Sequence, residues 1–369
     1  MDFLLNLPVV LWTLWAFVLG AAVGSLLNVV VARLPLEKSL IWPGSRCGRC
    51  FQPIRWYDNI PLVSYWILRG RCRSCGAPFS IRYFIIELVT ALAFAALFVF
   101  ELLLNGEHVE AFSRQRWHFL AGQIPWTGWA FFVHRATLMS LLLAAAFCDL
   151  DRREIPLGLT FFGAAIGLGF AIAFPWPWPH GIADANVVPG TTPWWMADPA
   201  TLGRGLYPWP VWGPLPDWMP LGSRRAGLAT GFAGMLVGSW MLRGVRFLFS
   251  RGLGREALGL GDADLMMMVG AFLGWQPVVV AFFAGGLFSL AFAVIQAVVN
   301  RENALPFGPG LAAGAMATVL AWRWIGPAVQ PLFFHADLMM VFVGGGAAFM
   351  LAAALMFRVL RRRGESSAG

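Results

Sequence analysis

Residues 7–31 read LPVVLWTLWAFVLGAAVGSLLNVVV, a run of 25 residues without one charged side chain. About 20 apolar residues in a helix cross the hydrocarbon core of a bilayer, so this run predicts a membrane-spanning helix. No basic residue precedes the run, and Arg33 follows it closely. A secretory signal peptide carries its positive charge before the apolar segment. We therefore expect a retained span with its N-terminus outside and Arg33 in the cytoplasm.

Eight further apolar runs follow the first. They lie near residues 83–104, 129–148, 157–174, 226–242, 262–276, 277–298, 309–325 and 337–357. Because the run 262–276 is short enough to be re-entrant, we expect an all-α polytopic membrane protein with eight or nine transmembrane helices.

The composition agrees with a membrane protein. The chain is 59% hydrophobic and 12% charged, whereas ordinary soluble domains carry about 25% charged residues. This composition excludes a soluble enzyme. We interpret the net charge of +8 as a signal of membrane topology, and we expect no nucleic-acid partner.

Basic residues are concentrated in segment 33–82, which holds nine Lys or Arg and two acidic residues. The positive-inside rule places this segment and the basic C-terminal tail in the cytoplasm. Another segment is rich in proline and tryptophan, which predicts an irregular insertion on the outer side. The predicted domains are a first helix (1–32), the cytoplasmic segment (33–82), a helical region (83–173), the insertion (174–225), a second helical region (226–358) and the tail (359–369).

Four of the five cysteines form two CxxC pairs in segment 33–82, Cys47-Gly-Arg-Cys50 and Cys72-Arg-Ser-Cys75. Two such turns bring four thiolates to one centre and predict a tetrahedral Zn²⁺ site. With four protein ligands the metal is structural, since no position stays open for a substrate. Two disulfides or four free thiols are the alternatives, and a cytoplasmic location argues against lasting disulfides. Cys148 stands alone and is interpreted as a packing residue.

Two groups of acidic residues border apolar runs on the predicted cytoplasmic side. Asp149 and Asp151 follow one run, and Asp262 and Asp264 precede another. Ionisable groups at a membrane are costly and are therefore candidate functional groups. Two carboxylates facing one water suit aspartic-protease chemistry. Spacing leaves the choice within each group open, because residues two apart point to different faces of a helix. Charged helix ends beside a basic loop are the plainer interpretation.

Together these motifs resemble the type IV prepilin peptidases, polytopic aspartic peptidases of bacterial inner membranes. The motifs that carry the resemblance occur in the order of the family, from residue 24 to residue 310. They are Gly24-Ser25-Leu26-Leu27-Asn28, Asp58-Asn59-Ile60-Pro61, Arg82-Tyr83 with Glu87, Asp149-Leu150-Asp151, Gly259-Leu260-Gly261-Asp262 and Pro306-Phe307-Gly308-Pro309-Gly310.

The resemblance implies that Asp149 and Asp262 are the catalytic pair. It implies cleavage of the leader of pilin-like and pseudopilin-like substrates at the cytoplasmic side, in type IV pilus or type II secretion systems. It also implies methylation of the new N-terminal residue with S-adenosylmethionine, an activity tied to the cysteine-bearing loop, and Glu87 is a candidate for that methyl-donor site.

This chain departs from the family at Asp264, where a lysine is usual. We expect Asp264 either to act on Asp262 by like-charge repulsion or to pair with an arginine.

Other classes of protein remain as alternatives. A transporter or channel predicts paired acids deep in several spans and two related halves, whereas most spans here lack central charges. A zinc-bearing membrane adaptor would retain the cysteines without catalysis. A presenilin-like protease places Tyr-Asp inside an apolar span, and here Tyr57-Asp58 lies in the basic segment instead.

Overall fold

The regular secondary structure of the residues that the computed structural model describes is helical, and the cysteine-bearing segment 33–82 consists mostly of turns and irregular backbone. The described residues are 2–181, 215–253, 259–299 and 307–334, together with isolated residues between 337 and 348. The described α-helices are α1 (Asp2–Arg33), α2 (Val63–Ile67), α3 (Arg82–Phe98), α4 (Glu110–Arg114), α5 (Arg116–Leu120), α6 (Trp126–Arg152), α7 (Leu157–Ala173), α8 (Arg224–Leu253), α9 (Leu260–Leu273), α10 (Trp275–Val299) and α11 (Phe307–Phe334).

Helices occupy the predicted apolar runs wherever the chain is described. Four of them are long and apolar enough to cross a membrane, within Leu7–Leu36, Arg82–Leu103, Trp126–Arg152 and Trp275–Gln296. The prediction of an all-helical membrane protein is therefore confirmed. Helix α9 has 14 residues and spans about 21 Å, less than the ~30 Å of a hydrocarbon core. The total of eight or nine spans stays a prediction.

Parts of the predicted organisation fall outside the described residues. These parts are most of the insertion 174–225, most of the ninth run 337–357 and the tail 359–369. The chain divides into two compact units, an N-terminal unit of Met1–Leu159 and a C-terminal unit of Thr160–Gly369.

The N-terminal unit is organised by close packing of α1 on α3. A Cβ added at Gly20 would lie 2.7 Å from the Cβ of Phe94, and one at Gly24 would lie 2.7 Å from the Cα of Glu87. Both distances are shorter than real side chains tolerate. Glycines four residues apart lie on one helix face and let two helix backbones approach closely in a membrane. This contact fixes the position of Glu87 relative to α1.

A charged cluster is buried at the other end of α3, where Val99–Leu103 forms a π-helical turn. Arg135 of α6 donates from Nη2 to both carboxylate oxygens of Glu107, at 3.0 and 3.1 Å, and its Nε lies 3.6 Å from Oε1 of Glu101. The side chains of Arg135 and Glu101 are 7% and 0% exposed. Burial raises the pKa of the Glu107 carboxyl. One guanidinium thus offsets the cost of placing two acids in an apolar environment.

The C-terminal unit is built on glycine contacts as well. A Cβ at Gly234 of α8 would clash with the carbonyl oxygen of Gly270 of α9, and a Cβ at Gly238 would clash with that of Met266. Helix α9 is enclosed, since every residue from Ala263 to Leu273 is buried. Helices α10 and α11 pack in the same way, because a Cβ at Gly314 would clash with Gly285.

We expect replacement of Arg135 by leucine to lower the free energy of unfolding by about 3–5 kcal/mol, because two buried acids lose their only cation in the described part of the unit. Arg114→Leu is the matched control, since Arg114 and Glu110 form an exposed pair worth about 1 kcal/mol or less. Thermal unfolding in detergent measures both variants. Equal losses of stability would contradict a stabilising role for the buried cluster.

Candidate functional site

The four predicted metal ligands lie on two turns of the same construction. In the first turn, the N–H of Cys47 donates to the carbonyl of Gln52 and the N–H of Phe51 donates to the carbonyl of Cys47, both at 3.0 Å. In the second, the N–H of Cys72 donates to Ala77 at 2.8 Å, and the N–H of Gly76 donates to Cys72 at 2.9 Å. The same two backbone hydrogen bonds therefore close each turn.

The four sulfur atoms have the spacing of a metal site. They all lie within 4.8 Å of one another. The Sγ atoms of Cys47 and Cys75 are 3.8 Å apart, and those of Cys50 and Cys72 are 4.0 Å apart. A tetrahedral site with Zn–S bonds of ~2.3 Å requires sulfurs about 3.8 Å apart. The donor set and its geometry therefore fit one tetrahedrally coordinated ion.

The backbone of the first turn favours a thiolate. Hydrogen bonds from the backbone N–H groups of Cys50 and Arg49 lower the pKa of the Cys47 thiol to about 6. Burial and the neighbouring thiols raise the pKa of Cys50 to about 11, so the first proton to leave this pair of thiols is assigned to Cys47. The thiolate is the form that binds metal.

The two turns form a short internal repeat that the CxxC spacing alone did not reveal. Arg46-Cys47-Gly48-Arg49-Cys50-Phe51-Gln52-Pro53 aligns with Arg71-Cys72-Arg73-Ser74-Cys75-Gly76-Ala77-Pro78. Arg46 bridges to Pro53, and Arg71 bridges to Pro78. The residue after the second cysteine has a positive φ in both turns, 59° at Phe51 and 67° at Gly76. Both turns share the sequence pattern RCxxCxxP, and this pattern predicts the repeat.

An ion pair joins the second turn to the segment between the turns. The guanidinium of Arg73 donates from Nε and Nη2 to the carboxylate of Asp58 at 2.6–3.0 Å. The Asp58 side chain is 7% exposed. These hydrogen bonds lower the pKa of the Asp58 carboxyl. The motif Asp58-Asn59-Ile60-Pro61 is thereby held against the second cysteine-bearing turn.

Most of the early motifs meet at one cavity of about 890 Å³ in the N-terminal unit. The volume falls in the usual range of small-molecule sites, about 300–1,000 Å³. Helix α1, the cysteine-bearing segment and α3 all contribute to its wall. The polar and aromatic lining residues include Ser25, Asn28, Asp58, Tyr65, Tyr83 and Glu87.

Charge is distributed unevenly around this cavity. Three cationic side chains line it, those of Arg33, Lys38 and Arg46. The carboxylate of Glu87 accepts the backbone N–H of Leu62 at 2.8 Å, so α3 is tied to the cysteine-bearing segment. Asn28 donates to the carbonyl of Tyr83 at 3.0 Å and holds α1 to the start of α3. The cavity wall therefore presents both cationic and acidic side chains to its interior.

Asp149 and Asp151 lie on the last turn of α6, in the N-terminal unit. Arg153 ends the helix with a φ of 55°, and its N–H donates to the carbonyl of Asp149 at 2.7 Å. Arg82, at the start of α3, donates to Oδ1 of Asp151 at 2.7 Å. The two acids point to different faces, as two-residue spacing on a helix requires.

Asp262 and Asp264 lie on the first turns of α9, in the C-terminal unit. Gly259 is the N-cap residue, which makes Asp262 the third residue of the helix, where an acid interacts favourably with free backbone N–H groups. A Cβ at Gly259 would lie 3.6 Å from Oδ2 of Asp262. Arg243 of α8 donates to Oδ1 of Asp264 at 3.1 Å. Of the two roles expected for Asp264, pairing with an arginine is the one observed.

The structure therefore brings together the four cysteines, and it places Glu87 at a cavity. Asp149 belongs to the N-terminal unit and Asp262 to the C-terminal unit, and their pairing stays a prediction.

Family models match two parts of this chain. The model described as the bacterial peptidase A24 N-terminal domain matches residues 18–100, and the type IV leader peptidase family matches residues 215–294. The first match contains the cysteines and Glu87, and the second contains Asp262. No solved structure matches the chain.

Similar proteins are named prepilin leader peptidase/N-methyltransferase. The one from Klebsiella pneumoniae is 32% identical over 72% of this chain and 87% of its own length. The one from Dickeya chrysanthemi is 30% identical over 84% of this chain and 93% of its own length. The one from Myxococcus xanthus is 33% identical over 72% of this chain, and the match spans 57% of that relative.

We expect about one divalent ion per chain in the purified protein, and we expect Cys75→Ser to lose most of it, because three thiolates bind far more weakly than four. Elemental analysis by mass spectrometry measures the ratio of metal to protein. Cys148→Ser is the control, since Cys148 lies apart from the cluster. Full metal content in Cys75→Ser would contradict a four-cysteine site.

Proposed function

The chain belongs to the family of prepilin leader peptidase/N-methyltransferases, and we propose that Asp149 and Asp262 are the catalytic pair with which it cleaves prepilin-like substrates. The observation that carries this choice is the pairing of the second acid in each motif. Asp151 is bound by Arg82, and Asp264 is bound by Arg243. The second acid of each motif is thus engaged in an ion pair between helices, and the resemblance to the family assigns catalysis to the first acid of each motif.

Two carboxyl groups that share one water suffice for peptide hydrolysis. The ionised carboxylate takes a proton from the water, which attacks the scissile carbonyl, and the protonated carboxyl donates to the carbonyl oxygen. Like-charge repulsion between neighbouring acids keeps one of them protonated, so the pair titrates in two steps that belong to both residues. Small residues at Gly259 and Gly261 leave room for an extended substrate backbone near Asp262.

The cavity of the N-terminal unit is the proposed site of S-adenosylmethionine and of the N-terminal amine that is methylated. S-adenosylmethionine supplies the methyl group when bound. Arg33, Lys38 and Arg46 line the cavity and would hold its carboxylate, and the aromatic Tyr65 and Tyr83 would contact its cationic sulfonium. The substrate amine must lose a proton to be methylated. Glu87 is the acid in the wall that would receive this proton, since Asp58 is held by Arg73.

The ion in the cysteine cluster is proposed to be Zn²⁺, in a structural role. Thiolate ligands in a tetrahedral arrangement are typical of zinc, and a site with four protein ligands has no open position for catalysis. Arg46 and Gly48 flank Cys47 and also line the cavity. Metal binding would therefore fix part of the cavity wall, so that loss of the ion would weaken methyl-donor binding.

Orientation follows from charge. We place the protein in the bacterial inner membrane with the basic segment 33–82 in the cytoplasm, the N-terminus outside and the C-terminus inside. Cleavage and methylation would then take place on the same side of the membrane. This placement suits two successive reactions on one substrate.

We expect Asp149→Asn and Asp262→Asn each to lower the rate of leader cleavage by about 10²–10⁴-fold, the usual contribution of a general acid or base. The N-terminal mass of a co-expressed prepilin-like protein reports cleavage. Asp217→Asn removes an exposed acid and serves as the control. Undiminished processing by either active-site variant would overturn the assignment of the pair.

We expect Glu87→Gln to lower methylation at least about 10-fold while cleavage continues, because the amide keeps the size of the side chain but accepts no proton. The same N-terminal masses separate cleaved from cleaved and methylated product. Glu110→Gln, at an exposed acid, is the control. Normal methylation by Glu87→Gln would remove Glu87 from the proposed site.

A further inference from the structure

Asp264 is a buried acid at the start of the helix that carries Asp262. Its side chain is 11% exposed, and Nη2 of Arg243 lies 3.1 Å from its Oδ1. The Arg243 side chain is 53% exposed, so the arginine reaches inward from the edge of the unit to a carboxylate that is almost enclosed. A buried carboxylate without a cation is costly, and α9 is enclosed by its neighbours from Ala263 onward.

The register between α8 and α9 places this ion pair beside Asp262. The helices run antiparallel, since Gly234 meets Gly270 and Gly238 meets Met266. A step of four residues along α8, from Gly234 to Gly238, thus matches a step back of four residues along α9, from Gly270 to Met266. One more step of four on each helix brings residue 242 of α8 level with Asp262 of α9. Arg243 therefore leaves α8 at the level of the first turn of α9.

Few other charges surround the first turn of α9 in the described part of the C-terminal unit. Helix α10 carries no charged residue, and the only charged residue of α11 is Arg323. On α8, Arg246 follows Arg243 by one turn. The ion pair with Arg243 thus restrains the direction of the Asp264 side chain, and with it the rotation of the first turn of α9.

We infer that Arg243 is a positioning residue for peptide cleavage, which orients Asp262 by holding Asp264 in an ion pair across the contact between α8 and α9. The inference rests on the proposed role of Asp262. The glycine contacts set the depth of α9 against α8, and the ion pair sets the orientation of its N-terminal turn. A side chain that acts in this way changes the rate of the chemical step more than the binding of substrate.

The test compares kinetic constants of full-length variants in detergent, with a prepilin-like substrate. We expect Arg243→Gln to lower kcat by about 10–100-fold, the cost of a small misplacement of a catalytic group, and to leave KM within about twofold. Arg243→Lys keeps the cation and is expected to retain much more activity. Arg323→Gln removes a guanidinium from another helix of the same unit and is the matched control.

A double variant separates positioning from a general loss of stability. Arg243→Gln leaves a buried carboxylate without its cation, whereas Arg243→Gln/Asp264→Asn leaves two neutral groups that can hydrogen bond. We expect the double variant to recover kcat to within about threefold of the wild type. If Arg243→Gln alone fails to fold, the kcat of the double variant still tests whether the ion pair positions Asp262.

Each outcome bears on the inference. Wild-type kcat in Arg243→Gln, or a double variant that merely adds the losses of its two single variants, would overturn it. If Asp262→Asn is inactive while Arg243→Gln is fully active, only the positioning role fails. If Asp262→Asn cleaves normally, the proposed function fails first.

Discussion

The scarcity of charge in an apolar helical protein is the constraint on which the rest of the structure depends. Each buried carboxylate needs a cation or hydrogen-bond donors, because an unpaired charge in this environment costs several kcal/mol. Arg135 forms ion pairs with Glu101 and Glu107, and Arg243 forms one with Asp264. These pairs identify three acids whose charge is offset by a structural partner.

Glycine contacts provide the second level of organisation, since they fix how deeply the helices pack and in what register. Gly24 brings α1 against the Cα of Glu87, and this approach forms one wall of the cavity in the N-terminal unit. Gly234 and Gly238 set α9 against α8 and bring Arg243 level with the turn that carries Asp262. A larger side chain at these positions would move an acid as well as a helix, so packing and chemistry depend on the same residues.

The cysteine-bearing segment extends this organisation outside the helices. Such a short segment has too little apolar surface for a core of its own, and its buried centre consists of Cys47, Cys72 and Ala77. The cluster of four cysteines, which could hold a metal ion, and the Asp58–Arg73 ion pair therefore take the place of a hydrophobic core. The cavity is lined by this segment and by helices α1 and α3. The proposed methyl-donor site therefore depends on the fold of the cysteine-bearing segment as well as on the packing of the two helices.

The sequence by itself determined the helical membrane fold, the four candidate metal ligands and the two acid motifs, because hydrophobic periodicity, CxxC spacing and charge at span ends are local properties of the chain. It did not decide between Asp149 and Asp151, or between Asp262 and Asp264, except through the family resemblance. Nor did it show that Asp151 pairs with Arg82 and Asp264 with Arg243, which lie 69 and 21 residues away in the chain, or that Ser25, Tyr65 and Glu87 share a cavity. Only the tertiary structure decided which of these side chains meet, because which charge meets which partner is set by helix register and not by distance along the sequence.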